Sequence, residues 1–145
     1  MMRLALEAAQ AAAAGGEIPV GAVVFDPATG EVIAQASNAP ISGHDPTAHA
    51  EILALRQAGA ARGNYRLTGL RLAVTLEPCA MCAGAIRLAR IGRLIFAAAD
   101  PKGGAVIHGP RFFDQPTCHW RPEVRGGVLE DEAAALLRVF FRARR

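Results

Sequence analysis

Leu72-Ala73-Val74-Thr75-Leu76-Glu77-Pro78-Cys79-Ala80-Met81-Cys82 is the stretch from which the fold is read. Leu72 to Leu76 is apolar and partly β-branched, which predicts a short strand ending at Glu77-Pro78-Cys79. The Ala-rich run from Cys79 to about Ala89 predicts a helix, and Ile91 to Ala98 predicts the next strand. Strand, helix and strand in succession predict an α/β domain, a central sheet covered by helices. The same stretch carries chemistry. Cys79 and Cys82 stand three apart, so on a helix they share one face. In the first turn, the electropositive helix end favours thiolate over thiol.

Outward from this centre the pattern continues. Leu4 to about Ala14 predicts a helix stopped by Gly15-Gly16, and Val20 to Phe25 predicts a strand after Pro19. Asp26-Pro27-Ala28-Thr29-Gly30 is turn chemistry, so Glu31 to Ala36 returns as the second strand of a hairpin. Asn38 to Thr47 reads as a loop, and Asp45-Pro46-Thr47 supplies a cap and a proline for a helix reaching Arg56 or beyond. Gly59 to Gly69 reads as a loop, and Asp100 to Arg121 as a long Gly- and Pro-rich one of the kind that is usually functional. A strand near Val124 to Leu129 and a helix from Glu130 to Arg144 follow. No repeat or linker interrupts the pattern, so residues 1–145 are expected to form one domain.

Composition narrows the class. The 145 residues are 52% hydrophobic and only 6% aromatic, which predicts a core of Ala, Leu, Val and Ile. No apolar run approaches the roughly 20 residues needed to span a bilayer, and the N-terminus lacks the apolar block of a signal peptide. Three cysteines, two of them in C-x-x-C, favour metal over a disulfide framework and a reducing, cytoplasmic location. The net charge of +3 is a mild excess. Its placement is more informative: Glu130, Asp131 and Glu132 precede Arg138, Arg142, Arg144 and Arg145. That order complements a helix macrodipole, and it also offers a basic surface to a polyanion.

His49-Ala50-Glu51 completes the chemistry. His49, Cys79 and Cys82 make three protein ligands for zinc, which leaves a fourth tetrahedral position for water, the arrangement of a catalytic site. Such a water is acidified toward neutral pH, and Glu51 can move its proton. Positions i and i+2 lie about 200° apart on a regular helix, so spacing alone does not aim His49 and Glu51 at one point. A structural zinc would need a fourth ligand, and Cys118 or His119 could be it.

His49-Ala50-Glu51 with Pro78-Cys79-Ala80-Met81-Cys82 resembles the H-x-E…P-C-x-x-C pattern of the cytidine deaminase-like zinc deaminases. The resemblance extends to the bacterial tRNA-specific adenosine deaminases. It runs through Glu17-Ile18-Pro19-Val20-Gly21-Ala22, Asn38, His44 to Glu51, Asn64-Tyr65-Arg66-Leu67, Thr75 to Cys79, Asp100-Pro101-Lys102 and the ending Phe140-Phe141-Arg142-Ala143-Arg144-Arg145. The resemblance implies a three-layer α/β/α fold with a mixed sheet of about five strands. It implies one zinc per subunit held by His49, Cys79 and Cys82. Glu51 is then the proton shuttle for hydrolytic conversion of adenosine to inosine at the wobble position of a tRNA anticodon. A base flipped from the unpaired anticodon loop is the implied substrate.

By the same resemblance Asn38 hydrogen-bonds the target base, Val20 and the backbone of Ala50 line its pocket, and Asp100 and Lys102 meet flanking nucleotides. Phe140 or Phe141 packs or stacks at the anticodon loop, while Arg142, Arg144 and Arg145 meet phosphates of the anticodon stem. A homodimer is implied as well. Cys118-His119 departs from the Asn-His found in many members, and no role is carried onto Cys118. Two other functions use the same residues: a small-molecule deaminase acting on guanine, cytosine or a nucleoside, and a non-enzymatic zinc-stabilised module that has no use for Glu51.

Overall fold

The computed structural model describes all 145 residues. In chain order the elements are α1 (Met2–Ala14), β1 (Gly21–Phe25), β2 (Val32–Ser37), α2 (Ala50–Arg62), β3 (Arg71–Leu76), α3 (Ala80–Ala89), β4 (Arg93–Ala98), a 3-10 turn (Phe112–Asp114), β5 (Glu123–Arg125) and α4 (Glu130–Arg142). The strands form one sheet in the order β2-β1-β3-β4-β5. β1 runs antiparallel to β2 and β3, while β3, β4 and β5 are mutually parallel along the order, so the sheet is mixed.

Alternation along the central strands builds two cores. Ala22, Val24, Leu72, Val74, Leu94 and Phe96 pack with residues of α2 and α3 on one face. Val23, Phe25, Ala73 and Ala97 pack with residues of α1 and α4 on the other. Covering both faces is what makes β1, β3 and β4 read as near-continuous apolar runs. The result is the three-layer α/β/α arrangement with five strands that the resemblance implied. Contact between layers is close: a Cβ on Gly21 would collide with the carbonyl of Ala5, so α1 lies directly on β1.

Several boundaries differ from the sequence reading. The second helix begins at Ala50 rather than near Thr47. The reason is local, because Asp45 Oδ1 accepts both the Thr47 N–H (2.9 Å) and the Thr47 hydroxyl (2.7 Å), which spends those residues on a turn. At its far end α2 continues through Gly59 to Arg62 and stops at Gly63, whose left-handed φ of 62° caps it. The expected loop from Gly59 is shorter accordingly. β5 ends at Arg125, because Gly127 turns left-handed (φ 82°) and Val128 and Leu129 pack inward against the α1–α4 core. α4 ends at Arg142. No helix is long and apolar enough to cross a membrane.

Candidate active site

β3 delivers Pro78 and Cys79 to the start of α3, where Cys79 is the N-cap residue and Cys82 lies in the first turn. His49 occupies the matching place on α2, as its N-cap. Two helix N-termini therefore meet at one point, and both are electropositive. His49 Nδ1 is 3.6 Å from Cys79 Sγ and 3.5 Å from Cys82 Sγ. Zn–N of about 2.05 Å and Zn–S of about 2.3 Å at a tetrahedral angle place N and S roughly 3.6 Å apart. The donor set and its spacing fit zinc. The thiols share their charge unequally: hydrogen bonding from the Cys82 thiol holds Cys79 at about 5, while donating that bond pushes Cys82 up.

No fourth ligand joins the group, whose donor atoms lie within 4.8 Å of one another. The Cys118 thiol donates to the Trp120 carbonyl (3.1 Å), and His119 is exposed. The structural-zinc arrangement with either residue as fourth ligand is therefore not formed. What lies beside the three donors is Glu51, buried at the second position of α2. Because His49 is extended (φ −74°, ψ 151°) rather than helical, the 200° separation of i and i+2 does not apply. His49 and Glu51 line the same cavity of about 270 Å³, with Val20, Asn38, Cys79 and Asp100 around them. Burial pushes the Glu51 carboxyl up to about 7, so its acid and base forms are both accessible near neutral pH.

Asn38 has two separable ends. Its Oδ1 accepts the N–H of Ala50 (2.8 Å), satisfying a free donor at the start of α2. Its Nδ2 has no protein acceptor and remains available to a ligand in the cavity that Asn38 lines. Ala50 is fully buried and, like exposed Lys102, lies outside the cavity lining, where Gly103 stands instead. Phe141, Arg142, Arg144 and Arg145 are also outside it, exposed at the end of α4. There Phe140 is buried edge-on to Phe141 (centroids 5.4 Å), and the Arg144 guanidinium sits 3.5 Å over the Phe140 ring.

Two buried glutamates were not singled out from the sequence. Glu77 Oε1 accepts the N–H groups of Val106 (3.2 Å), Ile107 (2.9 Å) and His108 (3.0 Å). Its Oε2 accepts the Asp100 N–H and pairs with His108 Nδ1, each at 2.8 Å. Five donors on one carboxylate tie down the start of the long Asp100–Arg121 segment, and Gly104 is required because a Cβ there would run into the Glu77 carboxyl. Glu17 likewise fixes the loop after β2, accepting from Ser42 N–H (2.8 Å) and Ile41 N–H (3.3 Å).

Comparison with known proteins agrees with this geometry. Residues 1–98 match the family model of the cytidine and deoxycytidylate deaminase zinc-binding region. A tRNA-specific adenosine deaminase of Agrobacterium fabrum is 54% identical over 145 residues, 99% of this chain and 93% of the relative. A solved structure from a study of A-to-I editing by tRNA:A34 deaminases at the wobble position of transfer RNA superposes with a TM-score of 0.91 at 52% identity, covering 94% of this chain and 97% of that one. A guanine deaminase from Nitrosomonas europaea superposes with a TM-score of 0.84 at 30% identity, covering 96% of this chain and 81% of that one.

Proposed function

The chain belongs to the cytidine and deoxycytidylate deaminase zinc-binding family, and from that premise we propose that it is a zinc-dependent hydrolase converting adenosine to inosine at the wobble position of a tRNA anticodon. The observation that carries this choice of substrate is likeness over nearly the whole length, termini included, at 54% identity to a tRNA-specific enzyme. Likeness to the guanine deaminase is 30%.

His49, Cys79 and Cys82 hold the metal, through donors already spaced for it. Zinc, when bound, supplies Lewis acidity that makes a water nucleophilic near neutral pH. The remaining work belongs to the chain. Glu51, buried beside the donors, takes a proton from the water attacking C6 and delivers it to N1 of adenine. The C6–N6 bond then breaks, and ammonia leaves with a second proton, so adenosine and water yield inosine and ammonia. Asn38 holds the base through its free Nδ2, Val20 lines the pocket, and the Ala50 backbone serves it through the N–H that fixes Asn38. Asp100 and Lys102 meet flanking nucleotides from the segment that Glu77 anchors.

Phe141, Arg142, Arg144 and Arg145 serve the anticodon stem-loop from the end of α4, where each side chain is exposed. Residues 1–145 act as one domain, in the cytoplasm, as a homodimer. The dimer is supported by an apolar surface between α2 and α3, where Leu88 and Tyr65 are 64% and 72% exposed.

One assay tests the substrate. Zinc-loaded protein is incubated with an unmodified tRNA bearing a wobble adenosine, and separately with adenosine, guanine and cytosine, scoring inosine and ammonia. Inosine in the tRNA alone is the expected result. Turnover of a free base with the tRNA untouched would sink the reading.

A further inference from the structure

At the opposite end of α3 from the metal donors, a second cavity of about 220 Å³ is lined by Arg66, Arg87, Arg90, His119 and Trp120, with Tyr65 and Leu88 shared with the apolar α2–α3 surface. The two sites are separated by the ten residues of α3, about 15 Å of helix. The chain's arginine ion pairs are made by Arg3, Arg56, Arg62, Arg93 and Arg111, and none of the three arginines here has a carboxylate partner. Three guanidinium charges thus converge with no internal counter-charge, so what neutralises them comes from outside.

The cluster is held in place. The Trp120 Nε1–H donates to the Ile91 carbonyl (2.9 Å), which fixes the indole. The Arg90 guanidinium lies 5.5 Å from the centre of that ring, and Arg66 lies 5.5 Å from the ring of Tyr65. Arg90 does this from a left-handed backbone (φ 58°) at the C-cap of α3. That conformation ordinarily selects glycine or asparagine, and non-glycine residues held in it cluster where function maintains strain.

We propose that this cavity is a second RNA-binding site, in which Arg66, Arg87 and Arg90 engage phosphates of the substrate tRNA and Trp120 stacks on an adjoining base or sugar. Planar guanidinium forks match phosphate oxygens, and aromatic faces accept any base. An acidic peptide would satisfy the charge and leave the indole unused. The proposal rests on the tRNA reading above and adds a contact remote from the reacting base.

Binding of labelled tRNA by the inactive Glu51→Gln protein is compared with the same protein carrying Arg87→Gln and Arg90→Gly, across a salt series. Both replaced residues lie outside the apolar α2–α3 surface. Affinity is expected to fall about tenfold and the log–log salt slope to become shallower by about two. The melting temperature should hold or rise, because glycine suits the left-handed position. Arg66→Gln with Arg87→Gln should act in the same direction without touching Arg90. Unchanged affinity and slope in both variants would overturn the site, as would polyglutamate displacing the tRNA as readily as single-stranded RNA. Turnover of the same tRNA by the unaltered enzyme is read in parallel. Its absence would remove the tRNA reading while leaving the binding comparison to judge the cavity.

Discussion

Glu77→Gln is the most demanding test of how this site is held. Glutamine can keep Oε1 on the three N–H groups of Val106, Ile107 and His108, but its amide nitrogen then replaces Oε2. His108 can adopt the tautomer whose Nδ1 accepts from that nitrogen. The Asp100 N–H cannot adapt, and it is left facing another donor where a carboxylate oxygen stood at 2.8 Å. An orphaned donor costs about 1–3 kcal/mol, and the remaining bonds lose their charge assistance. A total near 3 kcal/mol follows, which for a chain of this size lowers the melting temperature by roughly 10 °C.

The same reasoning fixes a pH dependence. Burial raises the Glu77 carboxyl, but the N–H groups of Asp100, Ile107 and His108 and the His108 imidazole outweigh it, so the folded pKa lies below the usual carboxylate value. A depressed folded pKa contributes stability that is present above the unfolded value, about 4.3, and is lost as pH falls through the folded one. The gap between wild type and Glu77→Gln should therefore be full at pH 7 and narrow progressively below about pH 4.5. Thermal melts of both proteins from pH 7 to pH 3, with zinc content measured at pH 7, read this directly. A variant that melts within about 2 °C of wild type at pH 7, or a gap that does not narrow in acid, would refute the clamp.

Four further outcomes are expected. Glu51→Gln should keep stoichiometric zinc and lose about 10²- to 10⁴-fold in kcat, measured by inosine release beside metal analysis. Asn38→Asp should keep the cap on α2, and so the melting temperature, but raise KM, whereas Asn38→Ala should lower the melting temperature by the loss of a cap worth about 1 kcal/mol. A strong chelator should lower the melting temperature and abolish activity, with both restored by added zinc, since a ligand of the folded state stabilises it by mass action. Deleting Arg142 to Arg145 should weaken tRNA binding and flatten its salt dependence while leaving zinc content unchanged.

The chemistry was legible in the sequence where ligand identity alone constrains it. His49, Cys79 and Cys82 are soft or borderline donors, and no plausible fold of this chain could use them together for much besides a metal. The elements were legible where apolar runs are long, as in β1, β3 and β4. What could not be read is geometry decided by single hydrogen bonds. Thr47 falls in a turn because Asp45 takes its N–H, and only that displacement makes His49 an extended cap beside Glu51. The resemblance implies a base contact for Asn38 and says nothing of its oxygen. The structure uses that oxygen to accept the Ala50 N–H at the start of α2, and its nitrogen has no protein partner.

Glu77 shows why such features stay hidden. Four of its five partners are backbone groups 23 to 31 residues downstream, and backbone N–H groups carry no sequence signature. Yet the long Asp100–Arg121 segment has little regular structure of its own, so a wall of the cavity built from it needs an external anchor. A buried carboxylate at the end of β3 provides one, because β3 also delivers Cys79. The strand that sets one metal donor thereby sets a wall of the cavity, and Glu17 fixes the loop at Ile41 and Ser42 from between α1 and β1. A pocket for one flipped base must keep its walls in register to within fractions of an ångström of its donors. Tying donor and wall to the same strand end achieves this without a larger core, in a chain whose helices α1, α2 and α3 are rich in alanine.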